Sequence, residues 1–562
     1  MSTRFKILSS LSPLLAVACA GQAGDTSTTE PVAQTVSPAK AEQALSVGLT
    51  NVPAANTKTP GFSAPNIVSP ELIQTTVAQG NIALENPATV TSGGTSVTLN
   101  YYGYNGDGPF VPLSGNVEAH KTEPDKNTYL VLNDQTGPDA NYDYGRHFLF
   151  QGHETGLSGY ITRINLDADA AHRVTLLASI DKDGNPVPTI DGSTWDPWAK
   201  KLLFTTESGS NDSIITATTT FPSTVEDVSG ALGRGGYEGV QNDSAGNVWI
   251  VEDVGGKTGA TNTHAKQPNS FVYRFVPQNP SDLTKGKLQA LQVLSLRTGN
   301  PIAFHAGQAD ADILSQDVGD LHTYGNTFDT KWVTIHDTAT DGFAPFDANA
   351  AAKAALATPF KRPENGQFRP DGTFREFYFD ETGDTDNRSE AGAAFGGFGS
   401  ILKLVQKSPT ADTGKLSLFF LSDQAHSGFD NVAFFSATEI VFVEDAGDTL
   451  HTQRNALDSA FLFDVTKNYS DPKNQPIRVI AEGRDASATI DSALGGTTGF
   501  VNEGDNEITG LHVSNGDPSR GGILGAQAPR LFKDGWRAFY TAQHGDNLTI
   551  ELLPNAHTAY ED

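Results

Sequence analysis

Acidic residues recur in this chain at a fixed interval. Glu238 and Glu252 stand 14 residues apart, and Asp430 and Glu444 repeat the interval. Ser193 and Glu207 keep the same 14-residue spacing with a hydroxyl in the first place. A looser copy runs from Arg362-Pro363-Glu364-Asn365 to Asp380-Glu381, and a last one opens at Glu507-Ile508-Thr509-Gly510 and resumes, after a long insertion, at Trp536–Thr541 and His544. Carboxylates gathered from several copies would raise one another's pKa or recruit cations. With Asn and backbone oxygens they suit hard metal ions, Ca²⁺ first among them. One Glu-Asp after a strand is only a solvated turn; several in matched register point to metal binding. The candidate ligands are Glu207, Glu238, Glu252, Glu364, Asp430, Glu444 and Glu507. Arg362 stands beside them, and a guanidinium next to carboxylate-held metals binds a tetrahedral oxyanion through paired hydrogen bonds. Its alternative role is a structural salt bridge with a nearby Glu.

Other patterns carry less. Asp181-Lys182-Asp183-Gly184-Asn185 opens like a calcium loop but has no acid at the twelfth position, which predicts a tight turn. Residues 380–390 are acid-dense and fit either a calcium site or a solvated loop. His153-Glu154 lacks the second His of a zinc-protease helix, and neither G-x-S-x-G nor a Lys-bearing phosphate loop occurs. The other His residues read as core or surface groups.

The elements that must position the acids read as strands. Thr128–Leu132, His147–Phe150, Lys201–Thr205, Val248–Val251, Glu439–Val443 and Arg537–Thr541 are short, β-branched or aromatic, and bounded by Gly, Asp and Asn turns. A helical patch is expected only around Asp347–Ala357. Strand, hairpin and strand, with an acid at the start of one and the end of the other, make a blade fragment whose acids meet at one sheet edge. Radial repetition of four-stranded sheets is the propeller architecture. The prediction is an all-β, six-bladed β-propeller with long loop insertions near 300–360 and 446–506, seven blades being the alternative. It would occupy residues 75–562 as a single domain.

Composition agrees. In 562 residues there are 56 Gly and 30 Pro, which favours many short elements over a helical bundle. Asp+Glu 66 against Lys+Arg 38 speaks against a nucleic-acid partner. The one Cys permits neither an internal disulfide nor a CxxC zinc site.

That Cys is Cys19. Arg4 and Lys6, then an apolar stretch to Ala18, read as a signal peptide over residues 1–18. Ala16, Ala18, Cys19, Ala20 and Gly21 resemble a bacterial lipoprotein box, with Ala16 where Leu is usual; Cys19 is the expected lipidation site. The alternative is cleavage after Ala16-Val17-Ala18 to give a soluble periplasmic protein. Residues 19–74 would then be the lipidated Cys and a Ser/Thr/Pro-rich tether. The expected location is bacterial and exported, facing the periplasm or cell surface, with membrane contact only through the lipid. Without residues 1–18 the chain keeps 36 basic against 66 acidic residues, a charge of 36 − 66 = −30.

Taken in order over residues 118–550, the blade copies resemble the PhoX-type alkaline phosphatase family. Leu203–Ser208 is similar to that family's strand ending in Cys-Glu-Glu, and Gly236-Tyr237-Glu238 to its Ser-His-Glu. Val251-Glu252-Asp253 stands at its Thr-Glu-Asp, and Phe360–Gly366 at its Arg-Pro-Glu element. Ser427–Asn431 with Val443–Gly447 matches its Ser-Pro-Asp-Asn and Cys-Glu-Asp-Gly pair, and Glu507–Gly510 its last blade. The resemblance implies a secreted six-bladed propeller that hydrolyses phosphate monoesters with iron and calcium in its channel. Glu207, Glu238, Glu364 and Asp430 would be metal ligands, and Arg362 would hold the phosphate of a small phosphorylated substrate. The bound cations would also reverse the sign of an otherwise phosphate-repelling chain. The departures are Thr206 where the family has the Cys that bridges its iron pair, Val443 at a second Cys position, and Tyr237 for its His. A hydroxyl does not replace a bridging thiolate, so Ca²⁺ is the expected ion and Fe³⁺ loses its bridge. The competing readings are a calcium-stabilised propeller that binds a ligand or surface partner without chemistry, and a calcium-dependent lactonase, which would have no need of Arg362.

Overall fold

In the computed structural model, the described residues are 47–54, 65–105, 120–207, 209–211, 214–261, 263, 265–385, 389–483, 507–543 and 547–556. The signal peptide, Cys19 and His544 lie outside them. Ala44–Asp562 forms one compact unit.

Among the described residues, six four-stranded antiparallel units follow one another. Their first strands are Pro124–Val131, Ser193–Asp196, Tyr237–Asn242, Gly366–Phe368, Phe429–Phe434 and Ile508–Ser514. Each of these touches the first strand of the next unit, and the sixth touches the first, which closes a ring. This is the β-propeller the repeats predicted. Of the expected strands, Thr128–Leu132 overlaps the first inner strand, and the other five form as hairpin partners of inner strands: His147–His153, Lys201–Phe204, Val248–Glu252, Glu439–Glu444 and Arg537–Ala542. Glu376–Glu381 is the partner in the fourth unit. Their apolar side chains pack between neighbouring units. Trp249 of the third unit meets Phe368 of the fourth edge-on at 4.9 Å, for example.

The last unit takes its fourth strand from the N-terminal side of the chain. Leu72–Ala78 pairs antiparallel with Leu548–Pro554, Leu72 opposite Pro554. Ile67–Val68 adds to the outer edge of the fifth unit, and Leu49 and Val52 are buried. The propeller body therefore includes residues that the Ser/Thr/Pro-rich composition had assigned to a tether ending at 74. Short strands flanked by Pro and polar residues are hard to separate from linker before their partner, far along the chain, is known.

Two insertions also differ from expectation. Residues 300–360 carry a strand, Phe328–Asp337, that bridges the third and fourth units into one nine-stranded sheet. The helix expected at Asp347–Ala357 is Ala348–Ala354, capped by the Asp347 side chain. It is not alone: Gln316–Leu321 and Gly447–Arg454 are helical as well. Residues 459–481 are no insertion, since Ser459–Asp464 and Ile477–Ala481 are the outer strands of the fifth unit.

Candidate metal and oxyanion site

Four of the six inner strands share one irregularity. Their pairing slips by an extra residue between Pro124 and Asn127, Tyr237 and Val240, Phe429 and Val432, and Thr509 and His512. A bulge re-aims the side chains it contains. Here it holds Asp125-Lys126, Glu238-Gly239, Asp430-Asn431 and Gly510-Leu511. Glycine allows the close approach: a Cβ on Gly239 would lie 2.8 Å from Asn365 Oδ1, and one on Gly510, at φ 62°, 2.6 Å from the Asp125 carbonyl.

Two groups of three carboxylates result, and they share Asp191. Oxygens of Asp125, Glu154 and Asp191 lie within 4.8 Å of one another, and so do oxygens of Asp191, Glu207 and Glu238. Burial, then Asp191 and Glu207, raises the Glu238 carboxyl well above its ordinary range. Burial, then Asp125, does the same to Asp191. Burial pushes Glu207 up to about 7, with Asp253 adding to it. Burial also raises Asp430, with Asp125 and Glu507 contributing, which links the fifth and sixth units to the same cluster. Asp191 Oδ1 and Asp430 Oδ2 are buried without a hydrogen-bond partner. Buried carboxylate oxygens in that state call for a proton or a cation.

Arg362 enters from the fourth unit. Its Nε donates to both oxygens of Asp253 at 2.9 Å, and its Nη2 to Asp253 Oδ2 at 2.7 Å and Glu364 Oε1 at 2.9 Å. Nη1 donates to the Thr385 hydroxyl at 3.0 Å. Burial opposes the guanidinium charge, but Asp253 and Glu364 hold its pKa well above the ordinary value. The backbone at Arg362 has φ 57°, a left-handed conformation costing roughly 1–2 kcal/mol for a non-glycine residue. Thr382 N–H bonded to the Arg362 carbonyl at 2.9 Å helps to hold it. Both roles weighed for Arg362 are thus compatible: it is salt-bridged, and it is 19% exposed at the cluster.

Of the predicted ligands, Glu207 and Glu238 fall in these two groups. Glu364 is in neither and pairs with Arg362, and Asp430 and Glu507 are in neither and act on the cluster electrostatically. Glu252 and Glu444 lie away from it. Glu252 sits opposite Tyr237 and Glu444 opposite Phe429 in the hairpins, one place out of phase with Glu238 and Asp430. Alternation along a strand sends them to the other face. There Glu252 accepts from Phe271 N–H, Tyr273 Oη and Asn349 Nδ2, and Glu444 pairs with Arg454 at 2.9 Å. The second acid of each pair has the right phase: Asp253 grips Arg362, and Asp445 acts on Glu364. Thr206 is fully buried, and its carbonyl accepts from Tyr237 N–H at 3.0 Å.

Sequence reasoning missed Asp125, Lys126, Glu154, Asp191 and Asp253. The first unit repeats the hairpin with Pro124 opposite His153, so Asp125 corresponds to Glu238, but a longer hairpin hides the 14-residue interval. His153, judged by its missing zinc partner, is a core residue stacked on Tyr160, and burial pulls it down to about 3. In the acid-dense stretch after 380, the described acids Asp380, Glu381 and Asp384 are buried: Asp380 accepts from Glu364 and Asn365 N–H, Glu381 pairs with His322, and Asp384 with Lys361. Asp181–Asn185 is the predicted turn, closed by Asp181 accepting from Asp183 and Asn185 N–H.

Fold and site together define a β-propeller with a carboxylate-lined centre. The family model for alkaline phosphatase PhoX matches residues 262–517. Over that segment the chain is similar to the PhoX-type alkaline phosphatase family. Its fold resembles that of Pseudomonas fluorescens PhoX solved in complex with vanadate, a transition-state analogue, at 11% identity and a TM-score of 0.53, covering 90% of this chain and 98% of that one. Two structures of a Trichoderma reesei carbohydrate-active enzyme of family AA12, with iodide and with calcium, align at 12% identity with a TM-score of 0.29. They cover 90% of this chain and 100% and 99% of theirs. No curated protein matches the chain.

Proposed function

We propose that this chain is an exported, metal-dependent phosphoesterase acting at the Asp191-centred cluster, on small phosphorylated substrates. The observation that carries the reading is Arg362, locked by Asp253 at the rim of buried carboxylates drawn from every unit of the ring. The match of residues 262–517 to the PhoX alkaline phosphatase family model supports a phosphatase-type hydrolase.

The donor set supports one class of ion over another. Glu207, Glu238, Asp191, Asp125 and Glu154 offer only oxygen, and Thr206 offers no sulfur. Hard cations suit such a set, so Ca²⁺ fits and a thiolate-bridged iron pair does not. The ion, when bound, supplies neutralisation of phosphoryl charge and acidification of water. The protein does the rest. Asp253 and Glu364 fix the plane of the guanidinium through Nε and Nη2. The Nη1 edge, bonded only to the Thr385 hydroxyl, exchanges that partner for a phosphoryl oxygen. The buried, fixed partners cost no reorganisation as charge develops.

A calcium-stabilised binding propeller without turnover is the second reading, favoured by the missing thiolate at Thr206 and the complete engagement of Arg362. The test is hydrolysis of a chromogenic phosphate monoester by the purified chain with Ca²⁺. Turnover lost in both Glu238→Ala and Arg362→Ala supports the phosphoesterase. Calcium-raised melting temperature with no turnover selects the second reading.

A further inference from the structure

Lys126 lies in the same bulge as Asp125 and is almost wholly buried. Its Nζ donates to Asn431 Oδ1 at 2.8 Å and to the Leu511 carbonyl at 2.9 Å. These are neutral amide oxygens from the fifth and sixth units, the kind that complete a calcium shell. Asp125, Asp430, Asp380 and Asp191 surround the ammonium closely enough to act on it electrostatically.

The surroundings form a connected cage. Asn431 Nδ2 donates to Asp430 Oδ1 at 2.7 Å and to Thr509 Oγ1 at 2.9 Å, and Thr509 Oγ1 donates to Asp125 Oδ1. Asp430 Oδ2 and Asp380 Oδ2 are buried and unpartnered. No second cation serves this side through His512, whose Nε2 accepts from Tyr129 N–H at 3.2 Å and so carries no proton. A buried ammonium is costly unless paired with charge and hydrogen bonds, and an oxygen cage of this composition would be equally costly if empty.

We propose that the Lys126 ammonium is a built-in cation, seated where a calcium ion would otherwise bind between the first, fifth and sixth units, and that it confines metal loading to the Asp191 side. The number of ions is then set by a side chain as well as by carboxylates. The inference rests on the metal-binding part of the functional reading.

The test counts Ca²⁺ per chain by equilibrium dialysis of chelator-stripped protein, for wild type, Lys126→Met and Lys126→Gln. The expected result is one additional tightly held ion in each variant, with melting temperature more dependent on Ca²⁺ than in wild type. Equal counts in wild type and folded variants overturn the proposal. So does failure of both variants to fold at every calcium concentration, because a cation should then replace the lost ammonium. Wild type that binds no Ca²⁺ would strike the functional reading instead, while a variant that gains an ion would still support the role of Lys126.

Discussion

Arg362 gathers most of the chemistry of the site into one side chain. Its two inner donors are committed to Asp253 and Glu364, and only the Thr385 contact is easily exchanged. Arg362→Ala should lower turnover of a phosphate monoester by about 100-fold or more, the usual cost of losing a fixed charged donor. Arg362→Lys should recover little, because a point charge cannot fill the fork that Asp253 holds. Steady-state kinetics of the two variants check this. Glu252 makes a different prediction at the same scale. Burial pushes its carboxyl up to about 8 from an ordinary 4.5. Between those values the folded chain keeps a proton that the unfolded chain has lost, so this group's stabilisation is complete below about 4.5 and fades as pH rises through about 8. Thermal melts across that window should therefore show a flatter pH dependence in Glu252→Gln than in wild type.

At the scale of elements, the bulged inner strand is what places the acids. Gly239 lets the third unit's strand lie against Asn365 of the fourth, and its N–H bonds the Glu364 carbonyl at 2.7 Å. Gly239→Ala should cost about 1–3 kcal/mol, as overpacking at a tight contact does, measured by denaturant unfolding. The same bulge explains what could be read in advance. Glu238 and Asp430 were legible because short hairpins preserve their spacing to the following acid. The phase was not legible: a one-residue bulge and the alternation of the strand together decide that Asp253, not Glu252, faces Arg362. Asp125 escaped because the first unit's hairpin is longer: Pro124 and His153 are 29 residues apart where Tyr237 and Glu252 are 15 apart, and the extra 14 break the interval. Asp191 escaped because its unit was aligned on Ser193, two residues later.

For the whole molecule, the outer edge of the sixth unit depends on Leu72–Ala78, supplied from the N-terminal side of the chain. A chain begun after residue 82 would leave Leu548–Pro554 as an open edge. It should melt at lower temperature and associate in size-exclusion chromatography, whereas the intact chain should not. The ring also brings acids from six units to one centre in a chain of formal charge −28, which repels phosphate esters. Bound cations must reverse that sign locally, so stripping Ca²⁺ should raise KM as well as depress kcat. Repetition made the ring legible in the sequence; the start of the sixth unit's outer strand was not, since residues 72–74 read as the end of the polar segment before them.

The most direct measurement is turnover of a chromogenic phosphate monoester by the purified chain, stripped of metal and then reloaded with Ca²⁺, beside Glu238→Ala. Calcium-restored hydrolysis in the wild type and none in the variant is the predicted result. Absence of hydrolysis in the calcium-loaded wild type across neutral and alkaline pH would contradict the phosphoesterase reading.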